Sequence, residues 1–345
     1  LHVIAGFLVP PLLLGVGRLA SGTTAHPARW GAAIGAMAVA QLLIGEEVLA
    51  IAAATALIAV ASASRHVRWR CLLGGAVVAT GVFAAFGAAP LWVQLAGHGH
   101  IIGPIQHGDR YADDLTAFVV PIRQVWLGST WFGGVTRHFS SEGGAYLGLP
   151  LVLTCVVVVA RRIDDLRVRA VAAGALGATV LSLGSRLTVA GRSTGVPLPW
   201  APLAHLPLLV SLLPVRFGVM LDMAAGALLA VGLDDIARRR DRAELAPGVD
   251  VRRALGAVAV AAVCVVPLLP RLPFRTTRWS VPAFFGRGGA DAVPAGAVVV
   301  VSPYPSETDP PVEVWLAEAG DRWRSAGGTY FVPDRTGHVT IGGPV

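Results

Sequence analysis

The feature that most constrains this chain is the apolar stretch from Trp30 to Ser64, whose only formal charges are Glu46 and Glu47. As one helix it would be about 50 Å long at 1.5 Å per residue, longer than the roughly 30 Å hydrocarbon core of a bilayer. It would also hold both carboxylates near mid-membrane, which costs about 2.5–3.5 kcal/mol each on insertion scales. A break at Gly45 instead gives two spans and places both carboxylates at their shared tip. We therefore predict a helical hairpin.

The composition extends this interpretation to the whole chain. Hydrophobic residues make up 54% of the sequence, charged residues 14%, and the mean hydropathy is +0.64. Soluble domains carry about 25% charged residues, which disfavours a large soluble α/β enzyme. We predict an all-α polytopic membrane protein with about eight transmembrane helices. The candidate spans cover about 2–17, 30–45, 47–64, 71–92, 144–160, 170–186, 205–233 and 254–270.

The loops suggest an orientation for these spans. Arginine-rich loops follow the first, third, fifth and seventh spans, which places those loops in the cytoplasm. The Glu46–Glu47 tip, residues 93–143, residues 187–204 and the tail from 271 then face outward. The net charge of +7 reflects these loops. Because no aromatic–basic stripe is present, we expect membrane lipids and no nucleic acid as partners.

Two domains are expected. Residues 1–270 form the transmembrane helical domain, with 93–143 as its long outer loop. Residues 271–345 resemble a strand, a short amphipathic helix and a second strand, so we expect a small, incomplete extracytoplasmic α/β domain. Because the chain starts without Met and ends on "IGGPV", we expect a fragment of a longer protein. The cysteines lie in or beside apolar segments, which predicts neither a disulfide nor a cysteine metal site.

The outer loop carries candidate ligands in "HGHIIGPIQHGD". His107 is a candidate phosphate-binding residue, and Asp109 is a candidate ligand of a divalent cation, Mg or Mn. The histidine spacing matches no closed zinc motif. A polar, glycine-rich surface loop is the alternative interpretation.

Four outer carboxylates are candidate catalytic groups: Glu46, Glu47, Asp113 and Asp114. Asp113 and Asp114 could act as a general base or hold a cation beside a phosphate, or Asp114 could cap the helical turn in "DLTAFVV". Of the two glutamates, we expect Glu46 to point into a cavity shared with the outer loop. The alternative for this pair is a capped, solvated turn.

Two arginines are candidate phosphate-binding groups, Arg123 in the outer loop and Arg216 after Pro214. An arginine at a membrane interface requires an anionic partner, either a lipid phosphate or a carboxylate. Asp222, about one and a half turns beyond Arg216, is the intrachain carboxylate that the sequence suggests.

Six motifs occur in this order over nearly the whole chain: "HVIAGFLVPPLLL", "QLLIGEEVLA", "DDLTAFVVP", "EGGAYLGLPLVL", "LPVRFGVML" and "SPYPSE…VWLAEAGDRWRSAGGTYFVPDRTG". In this respect the sequence resembles a group of bacterial polytopic membrane glycosyltransferases of the GT-C superfamily. Each motif is weak alone, and their order is what makes the resemblance specific.

The resemblance implies an enzyme of the bacterial cell membrane that takes a sugar from a polyprenyl-phosphate donor and passes it to an envelope acceptor at the outer face. In the superfamily, an acidic residue in the first outer loop serves as base or metal ligand. We expect this chain to begin after that loop, so the role is carried over to no residue here. A non-catalytic transporter or assembly protein for lipid-linked envelope precursors is the alternative function.

Overall fold

The computed structural model of the chain describes residues 6–98, 100–106, 108–128, 130–139, 146–206, 209–238, 251–273, 276, 280–286, 289–300, 311–325, 331–334 and 336–341. The helices are α1 (Val9–Ser21), α2 (Pro27–Ser62), α3 (Trp69–Ala96), α4 (Gly133–Thr136), α5 (Leu149–Arg162), α6 (Leu166–Ser182), α7 (Trp200–Leu203), α8 (Gly218–Arg238), α9 (Val251–Val265), α10 (Ala283–Gly286) and α11 (Pro311–Glu318). The strands are β1 (Arg186–Val189), β2 (Arg192–Pro197), β3 (Val298–Val299), β4 (Arg324–Ser325), β5 (Phe331–Pro333) and β6 (Val339–Ile341).

The protein is helical and apolar, as a membrane protein should be. Among the described residues, four helical stretches are long and apolar enough to cross a bilayer, namely Pro27–Ser62, Trp69–Ala96, Pro214–Ala237 and Val251–Leu268. The stretch Gly6–Ser21 is apolar but shorter. Helices α5 and α6, with 14 and 17 residues, are shorter than the roughly 20 residues of a typical span. The seventh span was predicted to begin at residue 205, but the corresponding apolar helical stretch begins at Pro214.

Helix α2 is broken at the predicted position. Gly45 has φ −178° and ψ 101°, an extended conformation between two helical halves. The first half runs parallel to α3, since Gly31 lies against Gly75 and Leu42 against Gly87. The start of α3 lies beside the end of α1, because Gly75 lies against Leu19. The second half must therefore run back along the bundle to reach α3, and Gly45 is the tip of a hairpin.

Glycines let the first half of α2 approach α3 closely. A Cβ at Gly31 would lie 2.2 Å from the carbonyl oxygen of Gly75, and one at Gly35 would lie 2.7 Å from that of Ala79. Such small-residue contacts are common where helices pack in membranes, because they let backbones come together.

The second half of α2 packs against α6. Helix α8 contacts α6, α5 and α9. Val48 and Ile51 of α2 join Ala178 and Leu181 of α6 and Phe217 at the start of the α8 segment in one buried cluster. Because α6 is antiparallel to the second half of α2, with Gly174 against Thr55 and Ala59, its end lies near the Gly45 tip.

All the described arginine-rich connections consequently lie at one end of this bundle. Arg68 N donates to Ala20 O at 2.8 Å, which joins the α1–α2 and α2–α3 connections. Arg162, at the end of α5, pairs with Asp235 near the end of α8. The Gly45 tip, the hairpin β1–β2 and the start of the α8 segment lie at the opposite end.

The chain divides into two compact units, 1–90 with 107–272, and 91–106 with 273–345. In the second unit, β3 pairs with β4 in parallel and β5 with β6 antiparallel. Its core is an aromatic cluster in which Phe285 stacks on Trp315 at 5.3 Å between ring centroids and Phe284 on Trp323 at 6.0 Å. The short helix predicted in the tail is present as α11 (Pro311–Glu318).

Candidate functional site

An ion pair between Glu47 and Arg216 lies at the Gly45 tip. Glu47 Oε2 accepts from Arg216 Nη1, and Glu47 Oε1 accepts from Leu213 N at 2.8 Å. Leu213 precedes the 3-10 turn Pro214–Phe217 that leads into α8, so the carboxylate satisfies an amide at the start of a helical segment. Only 20% of the Glu47 side chain and 17% of the Arg216 side chain are exposed. The pair is therefore mostly buried, and a small part of each side chain remains exposed.

The pair rests on a rigid apolar base. Trp200 and Phe217 are almost fully buried, and their rings meet edge to face at 5.8 Å between centroids. Val48, directly after Glu47, and Met220, one turn beyond Arg216, belong to the same cluster. This packing fixes both backbones, so the two charged groups are preorganised.

The sequence led us to expect that Glu46, rather than Glu47, points inward from the tip. Glu47, and not Glu46, faces Arg216, whereas Glu46 is exposed at the tip. Two successive helical residues point about 100° apart, so only one of the two can face the bundle. The sequence suggested Asp222 as the partner of Arg216. In the structure Arg216 pairs with Glu47, and Asp222 is exposed on α8.

The outer loop lies against the same segment. A Cβ at Gly108 would lie 3.1 Å from Leu212 O, so the 3-10 turn Gly108–Tyr111 packs on the residues that precede Arg216. Asp113, 2% exposed, donates its backbone N–H to Ser182 O at 2.8 Å, at the end of α6. The loop thus brings a buried carboxylate to the end of the bundle that carries the ion pair.

Asp114 has a structural geometry. Its Oδ1 accepts from Thr116 N at 2.8 Å, from Thr116 Oγ1 at 2.5 Å and from Ala190 N at 3.0 Å, and its Oδ2 accepts from Gly191 N at 2.7 Å. It therefore caps the turn Leu115–Phe118, as one sequence interpretation predicted, and also holds the β1–β2 turn. Ala190 and Gly191 both have positive φ, and two bonds to one carboxylate help to hold that conformation.

The remaining predicted site residues are Arg123, His107 and Asp109, and the described contacts place none of them at the Glu47–Arg216 pair. Arg123 is exposed, and its guanidinium lies 3.5 Å from the Cβ position of Gly133 in α4. His107 and the side chain of Asp109 lie outside the described residues. Within the described part of the chain, no group of three or more His, Cys, Asp or Glu side chains could hold a metal ion.

Sequence reasoning missed three parts of this site: the amide of Leu213, the carbonyl of Ser182 and the turn at Ala190–Gly191. The Ala–Gly dipeptide between two polar strands was the available signal for the turn. Nothing local marks Leu213 or Ser182, because their partners are far away in the sequence.

A charged cleft at the other end of the bundle was also not anticipated. It is lined by the Arg162–Asp235 pair, by Asp165 and Arg167 at the start of α6, and by Asp234. It lies far from the Glu47–Arg216 pair along α8 and therefore belongs to no site that the sequence suggested.

Comparison with known proteins gives no family for this chain: no protein-family model matches it, and a search of curated proteins finds no significant match.

Proposed function

We propose that this protein is a membrane glycosyltransferase that moves a sugar from a polyprenyl-phosphate donor to an envelope acceptor at the outer face of a bacterial cell membrane. The observation that carries the proposal is the Glu47–Arg216 pair, which holds a mostly buried, partly exposed cation at one end of an apolar helical bundle. A lipid phosphate presented from the membrane requires such a cation, and an arginine held by a carboxylate keeps a fixed geometry.

The proposal includes the finer topology. In it, about eight spans cross the membrane, and the shorter helices α1, α5 and α6 complete the bundle. The Gly45 tip and the tail domain face outward, and the arginine-rich end faces the cytoplasm. The grouping of the arginine-rich connections at one end supports this orientation.

The reaction assigns a role to each group. An acceptor hydroxyl attacks the anomeric carbon of the sugar, the bond from that carbon to the phosphate oxygen breaks, and polyprenyl phosphate leaves with the bonding electrons. Arg216 neutralises the growing charge on the leaving phosphate. Glu46, exposed at the tip, takes the proton of the hydroxyl. Asp113 is too buried to touch an acceptor in this conformation and positions the loop.

The test is sugar transfer from labelled polyprenyl-phosphate donors by the full-length protein in nanodiscs. Glu46→Gln should lower the rate about 10²- to 10⁴-fold, as expected for loss of a general base. Arg216→Gln should lower it about 10²- to 10³-fold. Asp235→Asn, which disrupts the ion pair at the other end of the bundle, is the matched control and should retain the rate. Full activity in both Glu46→Gln and Arg216→Gln would refute the proposal. A requirement for Mg or Mn at Asp109 is tested in the same assay by adding EDTA.

One observation favours the second candidate, a transporter or assembly protein for lipid-linked envelope precursors. Asp222 is an exposed carboxylate on an apolar helical stretch that is long enough to cross a membrane. Carboxylates at such positions commonly mark transport pathways or helix contacts. Movement of a labelled lipid-linked precursor across proteoliposomes without sugar transfer, abolished by Asp222→Asn, would support this function over the first.

A further inference from the structure

The outer loop carries an exposed aromatic surface that the proposed reaction does not use. Trp126 is 62% exposed and Trp131 is 94% exposed, whereas Tyr111 in the same loop and Tyr146 after it are half-buried. Nearby exposed apolar side chains extend the surface. We define the tryptophan patch as Trp126, Leu127, Trp131, Phe132, Leu269 and Leu272.

Backbone hydrogen bonds attach this patch to the end of a membrane span. Trp126 N donates to Leu269 O at 2.8 Å, and Arg271 N donates to Gln124 O at 2.8 Å. Residues Val125 and Pro270 form an antiparallel bridge between the same two segments. The apolar stretch Val251–Leu268 ends immediately before them. The patch therefore lies at the level where this span leaves the bilayer.

Two cations border the patch. Arg123 and Arg271 are both exposed. The guanidinium of Arg123 lies against Gly133, which directly follows Phe132, and the backbone of Arg271 pairs with the strand-like segment before Trp126. Indole rings beside guanidinium groups match the boundary between acyl chains and phosphates, where tryptophan is enriched in membrane proteins.

The patch also differs from the neighbouring hairpin β1–β2. The hairpin β1–β2 exposes a run of mostly polar residues from Arg192 to Pro197. An exposed apolar surface of this kind in a folded protein marks an interaction site. Its continuity with the α9 span selects the lipid surface as the partner.

We propose that the tryptophan patch binds the surface of the lipid leaflet next to the end of α9, with both indoles below the phosphates and with Arg123 and Arg271 contacting them. The patch thereby holds the outer loop flat on the membrane. This inference does not depend on sugar transfer, and it applies equally to a transporter or an assembly protein.

The test uses the difference in tryptophan emission between the wild-type protein and a Trp126→Phe/Trp131→Phe variant, both in nanodiscs. Because both side chains are exposed, these substitutions remove little packing. Lipids brominated close to the glycerol backbone should quench roughly half or more of this difference emission, with weaker quenching by lipids brominated at the chain ends and by aqueous iodide. Trp200→Phe is the control, since that buried indole should resist both quenchers.

The opposite pattern overturns the proposal. If iodide quenches the difference emission and brominated lipids do not, the two indoles are in water. If the chain-end bromines quench best, the indoles lie in the acyl core, and the patch is not an interfacial surface.

Discussion

Breaking the Glu47–Arg216 pair should destabilise the protein, and the structure allows a double-mutant cycle that isolates the charge. Glu47→Gln retains one oxygen that can accept from Leu213 N, and it removes the charge and the second acceptor that faces Arg216. Arg216→Gln removes the cation. Each single variant leaves one mostly buried charge without its partner. The free-energy costs of the two single variants should therefore add up to more than the cost of the double variant.

The magnitude follows from the exposure of the two side chains. Fully exposed pairs contribute about 0.2–1 kcal/mol, whereas removal of one partner from a fully buried pair costs about 3–5 kcal/mol. Because Glu47 and Arg216 are 20% and 17% exposed, solvent screens the pair only in part. We expect a coupling energy of about 1–2 kcal/mol for this intermediate case.

The assay is reversible unfolding of the four variants in mixed detergent–SDS micelles. The Arg162–Asp235 pair provides the control cycle within the same chain. Its side chains are 49% and 24% exposed, so solvent screens it more and its coupling should be clearly weaker. Equal coupling energies for the two pairs, or no coupling between Glu47 and Arg216, would refute the argument from burial.

Three further predictions follow from the described contacts. Asp114→Ala removes an acceptor of four hydrogen bonds and should cost about 2–4 kcal/mol in thermal unfolding, with faster proteolysis at the β1–β2 hairpin, while unchanged proteolysis would contradict this. Gly31→Ala forces a Cβ against the α3 backbone and should cost about 1–3 kcal/mol, whereas Gly74→Ala, in open space, should be neutral or slightly stabilising; equal effects would contradict the close helix contact. Hydrogen bonds from Thr336 lower the pKa of Asp334, so this turn should be most stable above the usual aspartate pKa and lose that stability as pH falls through the lowered value. Carboxyl NMR titration measures this, and an unchanged pKa in Thr336→Ala would contradict it.

The break in α2 could be predicted because its causes are local. A glycine, two adjacent carboxylates and a stretch too long for one bilayer all occur within Trp30–Ser64. Glycine has no Cβ and is readily accommodated where a helix must be interrupted. The clustering of the arginine-rich connections could be predicted for a similar reason, since an even number of antiparallel segments returns the chain to the same end.

The choice between Glu46 and Glu47 could not be predicted, because it depends on the rotation of the second half of α2 against α6. That rotation is set by contacts such as those of Gly174 and Gly177 with α2, which are far away in the sequence. The partner of Arg216 is 169 residues away, whereas Asp222 is the carboxylate that is close to Arg216 in the sequence. The local cap of Asp114 on the turn Leu115–Phe118 could be predicted, whereas its two bonds to the β1–β2 turn could not, because Ala190 and Gly191 are 76 and 77 residues away.

The central claim is that the Gly45 end of the bundle faces outward and the arginine-rich end faces the cytoplasm. The measurement that tests it is labelling of single introduced cysteines with a membrane-impermeant maleimide on intact cells, in a background without the three native cysteines. Ser193→Cys, in the β1–β2 hairpin, should be labelled, whereas Asp164→Cys, in the connection between α5 and α6, should be labelled only after the membrane is permeabilised. Labelling of Asp164→Cys in intact cells, with protection of Ser193→Cys, would contradict the account.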